Sequence, residues 1–538
     1  MESTSRISKN KLETLADYWA AANLSGPAWA GQLRLRFPPF KHQVLDLNHL
    51  ALDARSGLWN DPGLGKTLPA QAHVLWLVSL GNKAICVMPP VLVKQFADSF
   101  HANFQGVGAF VSIEVFAGVP DKRNELIARW DQTGWPNVLV MSNDMFAGKS
   151  PTELQALQKK RQKAAEKRGE EAKPLSPADL ANAAFWVSKR YNHLLLDEAT
   201  SVKTPGSDLH KAVKQFVGEE GPASNGLVLM TGSPIDNAPT DAYGLVALLT
   251  PNRYGSYRAF ERMHVRKDLS GMFPIVTGYQ NLDFLWQSLY LKGRRVTKQE
   301  ALDLPPRLVT EYPIELAPAH LALYKKLVKK RVLELGERVI DATTASSLFV
   351  KTQRMLLCPE LFHEGDWQVE NTLLTTLDEI LKGLPKVIIY AWFTESVKKL
   401  EQRYKKLNPA LLYGEISGAE RDKQKHKFIT DPTCKLIVMQ PKSGGVGVDG
   451  LQAVCSHVVF AELVTTPGLF EQAISRLHRS GQKAQTINIY LLTALSTVAV
   501  KRRNDLLRKE HEANQVVRDT KTLLSELLGE EGIQGTLT

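Results

Sequence analysis

Leu58-Trp59-Asn60-Asp61-Pro62-Gly63-Leu64-Gly65-Lys66-Thr67, followed by the apolar run from Leu68 to Leu80, reads as a strand, a glycine turn and a helix. The amides of such a turn and of the helix N-terminus after it point the same way and form a cradle for anions. Gly65-Lys66-Thr67 meets the G-x-x-x-x-G-K-[ST] pattern, with Asn60 in place of its leading glycine. Lys66 is suited to neutralise β- and γ-phosphate oxygens and Thr67 to ligate Mg²⁺, while Gly63 and Gly65 allow close backbone approach. Pro69 falls in the first helical turn, where proline is tolerated. The expected fold is α/β, and the expected ligand is ATP with Mg²⁺.

Outward from this loop, strand-like runs alternate with helical stretches from Leu35 to about Thr250. The runs are Ala84 to Met88, Val138 to Met141, Leu194 to Asp197 and Leu227 to Thr231. Such alternation points to a parallel sheet covered on both faces, with ligands at the carboxyl ends of its strands. Polar motifs stand at those ends. Asp197-Glu198 closes one apolar strand: Asp197 is expected to support Mg²⁺ and Glu198 to orient the attacking water. Taken alone the pair is also an ordinary helix cap; downstream of a phosphate loop in the same sheet it reads as catalytic. Thr231-Gly232-Ser233 closes the next strand and offers hydroxyls to those carboxylates.

A second alternation begins at Lys386 to Tyr390 and continues through Lys435 to Met439, Val458 to Phe460 and Ile487 to Tyr490. It carries the glycine-rich turn Lys442-Ser443-Gly444-Gly445-Val446-Gly447, which permits backbone approach to a phosphate. It also carries Arg476 and Arg479, three residues apart and expected on one helix face, where a guanidinium can stabilise charge on a transferring phosphoryl group. Between the alternations, Ala319 to Arg338 and Ala345 to Leu357 have the spacing of amphipathic helices. The segment 152–185 is dense in Lys, Arg, Glu, Ala and Gln and reads as a helical insertion, either solvated or set against DNA.

The bulk numbers narrow the class. The chain has 538 residues, 43% hydrophobic and 23% charged, which is ordinary for a globular protein of several units. Its apolar runs are strand-sized, short of a membrane span, and residues 1–6 lack the apolar core of a secretory signal. Four scattered cysteines without a CxxC pair disfavour zinc and a disulfide framework and point to a reducing cytoplasm. A net charge of +11 favours a polyanionic partner.

Further segments carry a family resemblance over roughly residues 35–510. Leu35 to Gln43 is similar to an adenine-recognition segment, with Gln43 as its glutamine. Val87 to Phe96 is similar to V-P-P-S-L-L-x-x-W, and Leu229 to Asn237 to L-T-G-T-P-L-Q-N. Arg294-Arg295-Val296-Thr297-Lys298 through Leu304-Pro305-Pro306 resembles R-R-x-K…L-P-P, and Arg476 to Gln482 resembles R-x-H-R-x-G-Q. Together these resemble the superfamily two helicase-type ATPases, specifically the Swi/Snf-type DNA translocases.

The resemblance implies two RecA-like parallel-sheet lobes that close on ATP, with helical protrusions between them and a C-terminal brace helix. The expected boundaries are an N-terminal extension at 1–30, lobe 1 at 31–250, protrusions and linker at 251–365, lobe 2 at 366–500 and the brace at 501–538. It implies catalytic roles for Lys66, Asp197, Glu198, Arg476 and Arg479, and nucleotide contacts from Gln43, Gly63, Gly65, Lys66, Thr67 and Gly447. Thr67 and Asp197 are the expected metal ligands, and Lys203, Arg294, Arg295, Lys442 and Ser443 the expected DNA contacts. The implied activity is ATP hydrolysis coupled to movement on double-stranded or branched DNA. A strand-separating helicase and a nucleotide switch that binds a protein partner are the alternatives. Thr200 stands where histidine is usual, and Val448 to Gln452 replaces the usual L-N-L. With no accessory chromatin module in the sequence, a compact bacterial or bacteriophage form is expected.

Overall fold

The computed structural model describes residues 12–148, 151–166, 190–218, 225–271, 273–336, 342–416, 418–441 and 450–517. Its internal contacts divide the chain into two units, Met1–Asp303 and Leu304–Thr538.

In the first unit, β1 (Arg34–Leu35) pairs antiparallel with β4 (Phe104–Gln105). The main sheet is built from β2 (Arg55–Leu58), β3 (Ala84–Met88), β5 (Ile113–Phe116), β6 (Val138–Ser142), β7 (His193–Leu196), β8 (Gly226–Met230) and β11 (Gly293–Arg294). Its order is β11-β2-β8-β7-β3-β6-β5, and every pairing is parallel. Every residue of β3, β6 and β8 is buried. Strands covered on both faces need such unbroken apolar runs, so the runs legible in the sequence become the centre of the sheet. The loops after β2, β7 and β8 leave the sheet at one end, which is where the polar motifs stand. A separate antiparallel hairpin pairs β9 (Val265–Asp268) with β10 (Ile275–Tyr279).

The N-terminal helix Leu15–Ala21 is part of this unit. Thr14 and Asp17 cap it reciprocally. Its Trp19 Nε1 donates to the carbonyl of Ala72 at 3.0 Å, in the helix Thr67–Ser79 that follows the phosphate loop.

The second unit holds β12 (Arg307–Ile314), β13 (Val387–Tyr390), β14 (Ala410–Leu412), β15 (Leu436–Met439), β16 (His457–Phe460) and β17 (Ile487–Ala494). The order is β12-β17-β16-β13-β15-β14, again all parallel. The helix Val498–Val517 packs against β17 and is held by Arg502, whose Nε donates to the Val464 carbonyl at 3.3 Å.

The stretch 251–365 contains the helices Tyr257–His264, Leu282–Tyr290, Pro318–Gly336 and Ala342–Leu357. It also supplies β11 to the first sheet and β12 to the second. Neither strand has a readable pattern: β11 is two residues long, and β12 is an edge strand with mixed burial that tolerates Pro313. Within 152–185, the helix Pro151–Glu166 is described and residues 167–185 lie outside the described residues. Among the described residues, no helix is long and apolar enough to cross a membrane.

Candidate nucleotide site

The candidate phosphate loop leaves β2 at Leu58 and enters its helix at Thr67. Gly63 and Gly65 have φ of +94° and +73°, so the turn occupies backbone space that disfavours side chains. At Gly65 a Cβ would lie 2.6 Å from Nε2 of Gln43. That close approach is used. Gln43 Nε2 donates to the Gly65 carbonyl at 3.0 Å, its Oε1 accepts the Phe40 amide at 2.9 Å, and its own carbonyl accepts the Tyr18 hydroxyl at 2.9 Å. Gln43, a candidate nucleotide contact, is therefore buried and spends its side chain on the loop; Nε2 of neighbouring His42 lies 3.0 Å from the Leu64 carbonyl.

Asn60 fills the position of the leading glycine with two bonds. Its carbonyl accepts the Lys66 ammonium at 2.7 Å, and its side-chain amide donates to Asp46 at 2.6 Å. Asp46 is fully buried, and its other oxygen accepts Nε of Arg294 from β11 at 2.9 Å. Burial raises the Asp46 pKa, against the charges of Arg294 and His42 and the bonds from Arg294 and Asn60. Beside it, Asp61 accepts Arg295 Nη2 at 3.1 Å and the Lys298 amide at 3.0 Å. The Asp61 amide in turn donates to the Val296 carbonyl at 3.1 Å. The R-R-V-T-K segment thus forms one wall of the phosphate loop. Arg294 and Arg295, candidate DNA contacts, both hold carboxylates of the first unit, and Arg295 is only 11% exposed.

Across the sheet end, Asp197 and Glu198 follow β7. The Glu198 amide donates to its neighbour Asp197 at 2.9 Å, and Glu198 sits at φ 52°, ψ 54°, a left-handed conformation that costs a non-glycine residue energy. Strain of this kind persists only where surrounding structure holds it. Burial lowers the Lys66 pKa, opposed by Glu198, Asp197, Asp61 and Asp46 in that order. Burial likewise raises Asp197, opposed by Lys66 and by the Glu198 amide. One lysine therefore faces carboxylates from two loops.

The turn after β8 completes this end. A Cβ on Gly232 would fall 2.6 Å from the Pro62 ring, so a glycine is required for the Thr231-Gly232-Ser233 turn to lie on the phosphate loop. The Ser233 amide donates to Thr231 Oγ1 at 3.1 Å. Lys203, another candidate DNA contact, is paired with Asp236 at 3.0 Å and Asp241 at 3.1 Å. Burial alone would lower its pKa, but the two carboxylates outweigh burial and raise it.

In the second unit, the helix Pro467–Ile474 ends before Arg476. Arg476 and Arg479 lie in the turns that follow, not on a helix face. The cause is local: the Ser475 hydroxyl donates back to the Gln472 carbonyl at 2.8 Å, and Gly481 turns the chain at φ +90°. Gln482 Nε2 then locks the loop by donating to the carbonyls of Cys455 at 3.0 Å and Leu477 at 3.2 Å. Nε2 of His478 meets the Pro305 carbonyl at 3.1 Å. In H-R-x-G-Q, the histidine and glutamine are thus scaffold for the arginines. Lys442, Ser443 and Gly447 lie outside the described residues.

Sequence reasoning overlooked Asp46, Tyr18 and the structural use of Asn60. Only the break in the glycine pattern at Asn60 signalled any of them.

Comparison with known proteins places the chain in a family. The SNF2-related domain model matches residues 42–358, and the helicase conserved C-terminal domain model matches residues 372–481. An uncharacterized ATP-dependent helicase of Mycoplasma genitalium is 25% identical over 321 residues, covering 58% of this chain and 29% of the relative. The uncharacterized ATP-dependent helicase YqhH of Bacillus subtilis is 22% identical over 521 residues, covering 91% of this chain and 82% of that protein. The DNA annealing helicase and endonuclease ZRANB3 of Mus musculus is 25% identical over 284 residues, covering 50% of this chain and 25% of that protein. The chain spans 29% and 31% of the lengths of the mycoplasma relatives it matches. Among solved structures, the Sulfolobus solfataricus SWI2/SNF2 ATPase core in complex with dsDNA aligns with a TM-score of 0.38 at 20% identity, covering 90% of this chain and 97% of that one. With the SNF2-related model matching more than half of its length, the chain belongs to the SNF2-related family of helicase-like proteins.

Proposed function

We propose that this chain is a DNA-dependent ATPase that converts hydrolysis into movement on double-stranded or branched DNA. The observation that carries the reading is the convergence on Lys66. The lysine of the glycine turn after β2 faces Asp197 and Glu198 at the end of β7, two strands along the same sheet, within a chain of the SNF2-related family.

In this reading the turn at Gly63 and Gly65 and the helix N-terminus at Thr67 receive the phosphates of ATP. Lys66 exchanges its bond to the Asn60 carbonyl for phosphate oxygens. That exchange favours the charged lysine, whose pKa burial otherwise holds down. Glu198 orients a water for in-line attack on the γ-phosphate and accepts its proton. Arg476 and Arg479 supply positive charge to the γ-phosphate as the bond breaks. Gln43 holds the Gly65 carbonyl and with it the shape of the loop.

The donor set suits Mg²⁺. A hydroxyl at Thr67 and a carboxylate at Asp197 offer hard oxygen ligands, and no cluster of three or more His, Cys, Asp or Glu forms a protein cage among the described residues. Held by Thr67 and Asp197, Mg²⁺ would supply neutralisation of phosphate charge.

Steady-state hydrolysis with no nucleic acid, single-stranded, duplex and forked DNA, paired with triplex displacement, tests the reading. Stimulation by duplex together with triplex displacement is expected. Hydrolysis indifferent to every nucleic acid would overturn it.

A further inference from the structure

The β9–β10 hairpin has a firmly built base and a tip that no folding argument explains. At the base, His264 is fully buried, with Nδ1 at 3.1 Å from the Gln280 carbonyl and Nε2 at 3.0 Å from the Tyr254 hydroxyl. Tyr254 and Arg253 both donate to Ser288 Oγ, at 3.0 and 2.9 Å, and Arg253 stacks over Phe284 with 4.1 Å to the ring centre. Asn281 Nδ2 ties the far strand to the Met263 carbonyl at 2.7 Å. Rings of Tyr243, Tyr254, Phe260 and His264 close this base into one aromatic cluster. A stalk anchored in this way holds its tip in a fixed direction.

The tip is apolar and in solvent. Leu269 is 72% exposed, Phe273 70%, Ile275 63% and Val276 48%. Single exposed apolar residues are ordinary, but four in one hairpin mark a contact surface.

Its surroundings say what kind of contact. Residues 253–268 carry five cations against two carboxylates. Arg258 and Arg262 are exposed and make no ion pair or hydrogen bond among the described residues. They sit four apart on the helix that leads into β9, a spacing at which like charges repel. An apolar tip behind an uncompensated basic helix face is complementary to a polyanion that also exposes flat apolar faces. DNA has both where a duplex ends: phosphates outside, and unstacked bases at the junction. The four residues of β9 span about 13 Å, the rise of roughly four base pairs, so cations at the base and bases at the tip can be engaged together.

We infer that the β9–β10 hairpin is a wedge: Leu269 and Phe273 stack on the terminal base pair at a junction between duplex and single strands, while Arg258 and Arg262 hold the flanking phosphates. The inference deepens the proposed DNA motor and rests on that reading. It assigns the motor a branched substrate.

The test uses the full chain with Leu269→Ser and Phe273→Ser combined, both exposed positions outside the nucleotide site. Forked DNA carrying 2-aminopurine at the junction is titrated without ATP. Fluorescence at the junction base is expected to change on binding of the unaltered chain, and the double variant is expected to lose most of that change. The variant should process forks at least about tenfold more slowly, as expected for the loss of one base stack, while duplex-stimulated hydrolysis stays within about twofold. Arg258→Ala with Arg262→Ala should raise the concentration of fork needed for half-maximal signal. An unchanged fluorescence signal and fork rate in the tip variant overturn the wedge. So does a tip variant that alters only the sedimentation of the chain, since the patch would then be a self-association surface. The fluorescence readout needs no hydrolysis, so failure of the wedge and failure of the motor reading are told apart.

Discussion

At the scale of single residues, the candidate site is held by backbone exceptions and by side chains that serve other side chains. Gly65 is the clearest exception, because φ of +73° disfavours a side chain and a Cβ there would crowd Nε2 of Gln43 at 2.6 Å and displace its bond to the loop. Gly65→Ala should distort the loop at a cost of about 1–3 kcal/mol, read as an ATP affinity reduced by roughly tenfold or more in a nucleotide-binding titration. Arg476 tests a different property. Its neighbours Ser475, His478 and Gln482 hold the loop without its side chain. Arg476→Ala should therefore keep ATP binding and lose turnover by about 10³-fold or more, the scale of a transition-state guanidinium. Single-turnover hydrolysis beside equilibrium binding checks both halves, and normal turnover removes Arg476 from the site.

At the scale of elements, two buried carboxylates tie separate elements together. Asp46 joins the helix Lys41–Leu52 to the phosphate loop through Asn60 and to β11 through Arg294. Burial works against its charge, so the link is electrostatically expensive and serves position. Asp46→Ala leaves Arg294 without that partner and should lower stability by roughly 2 kcal/mol, discounted because Arg294 is partly solvated, along with a fall in hydrolysis. Thermal melting and steady-state assays read the two effects. In the second unit, Glu462 accepts the amides of Trp392 and Phe393 at 2.6 and 3.3 Å and the Ser396 hydroxyl at 2.9 Å. Burial pushes its carboxyl up to about 7, against those bonds and the charge of Arg502. The folded state therefore holds a proton that the unfolded chain releases at lower pH. Its contribution to stability is full below the ordinary glutamate range and is lost as pH rises towards 7. Glu462→Gln keeps the shape and should flatten the decline in melting temperature between about pH 5 and 8, a difference on the order of 1–3 kcal/mol. A parallel decline in variant and parent counts against Glu462 as its source.

At the scale of the whole molecule, the charge of +11 is the property that local contacts do not use up. Three of the cations read as DNA contacts, Lys203, Arg294 and Arg295, hold carboxylates of the first unit. In the proposed motor, DNA contacts then fall to other basic surface, of which the helix bearing Arg258 and Arg262 is one part. Contacts to phosphates release counterions. The duplex concentration for half-maximal stimulation should therefore rise at least about tenfold between roughly 50 and 200 mM salt, whatever the duplex sequence. A titration at the two salt levels that shows no rise excludes a phosphate-tracking motor.

The sequence by itself determined the parallel α/β class, the strand, glycine turn and helix around Gly65, and the Asp197-Glu198 strand end. In each case a contiguous apolar run and the turn after it carry the whole signal, so no distant residue is needed to read them. The tertiary structure alone decided what surrounds those motifs. Tyr18, Gln43, Asp46, Asn60 and Arg294 meet across as many as 248 residues of chain through single hydrogen bonds. A buried polar bond leaves no periodicity behind. The break before Arg476 and the strands β11 and β12 were likewise set by partners rather than by propensity: a serine turning back on its own helix, and edge strands whose neighbours lie far away in sequence.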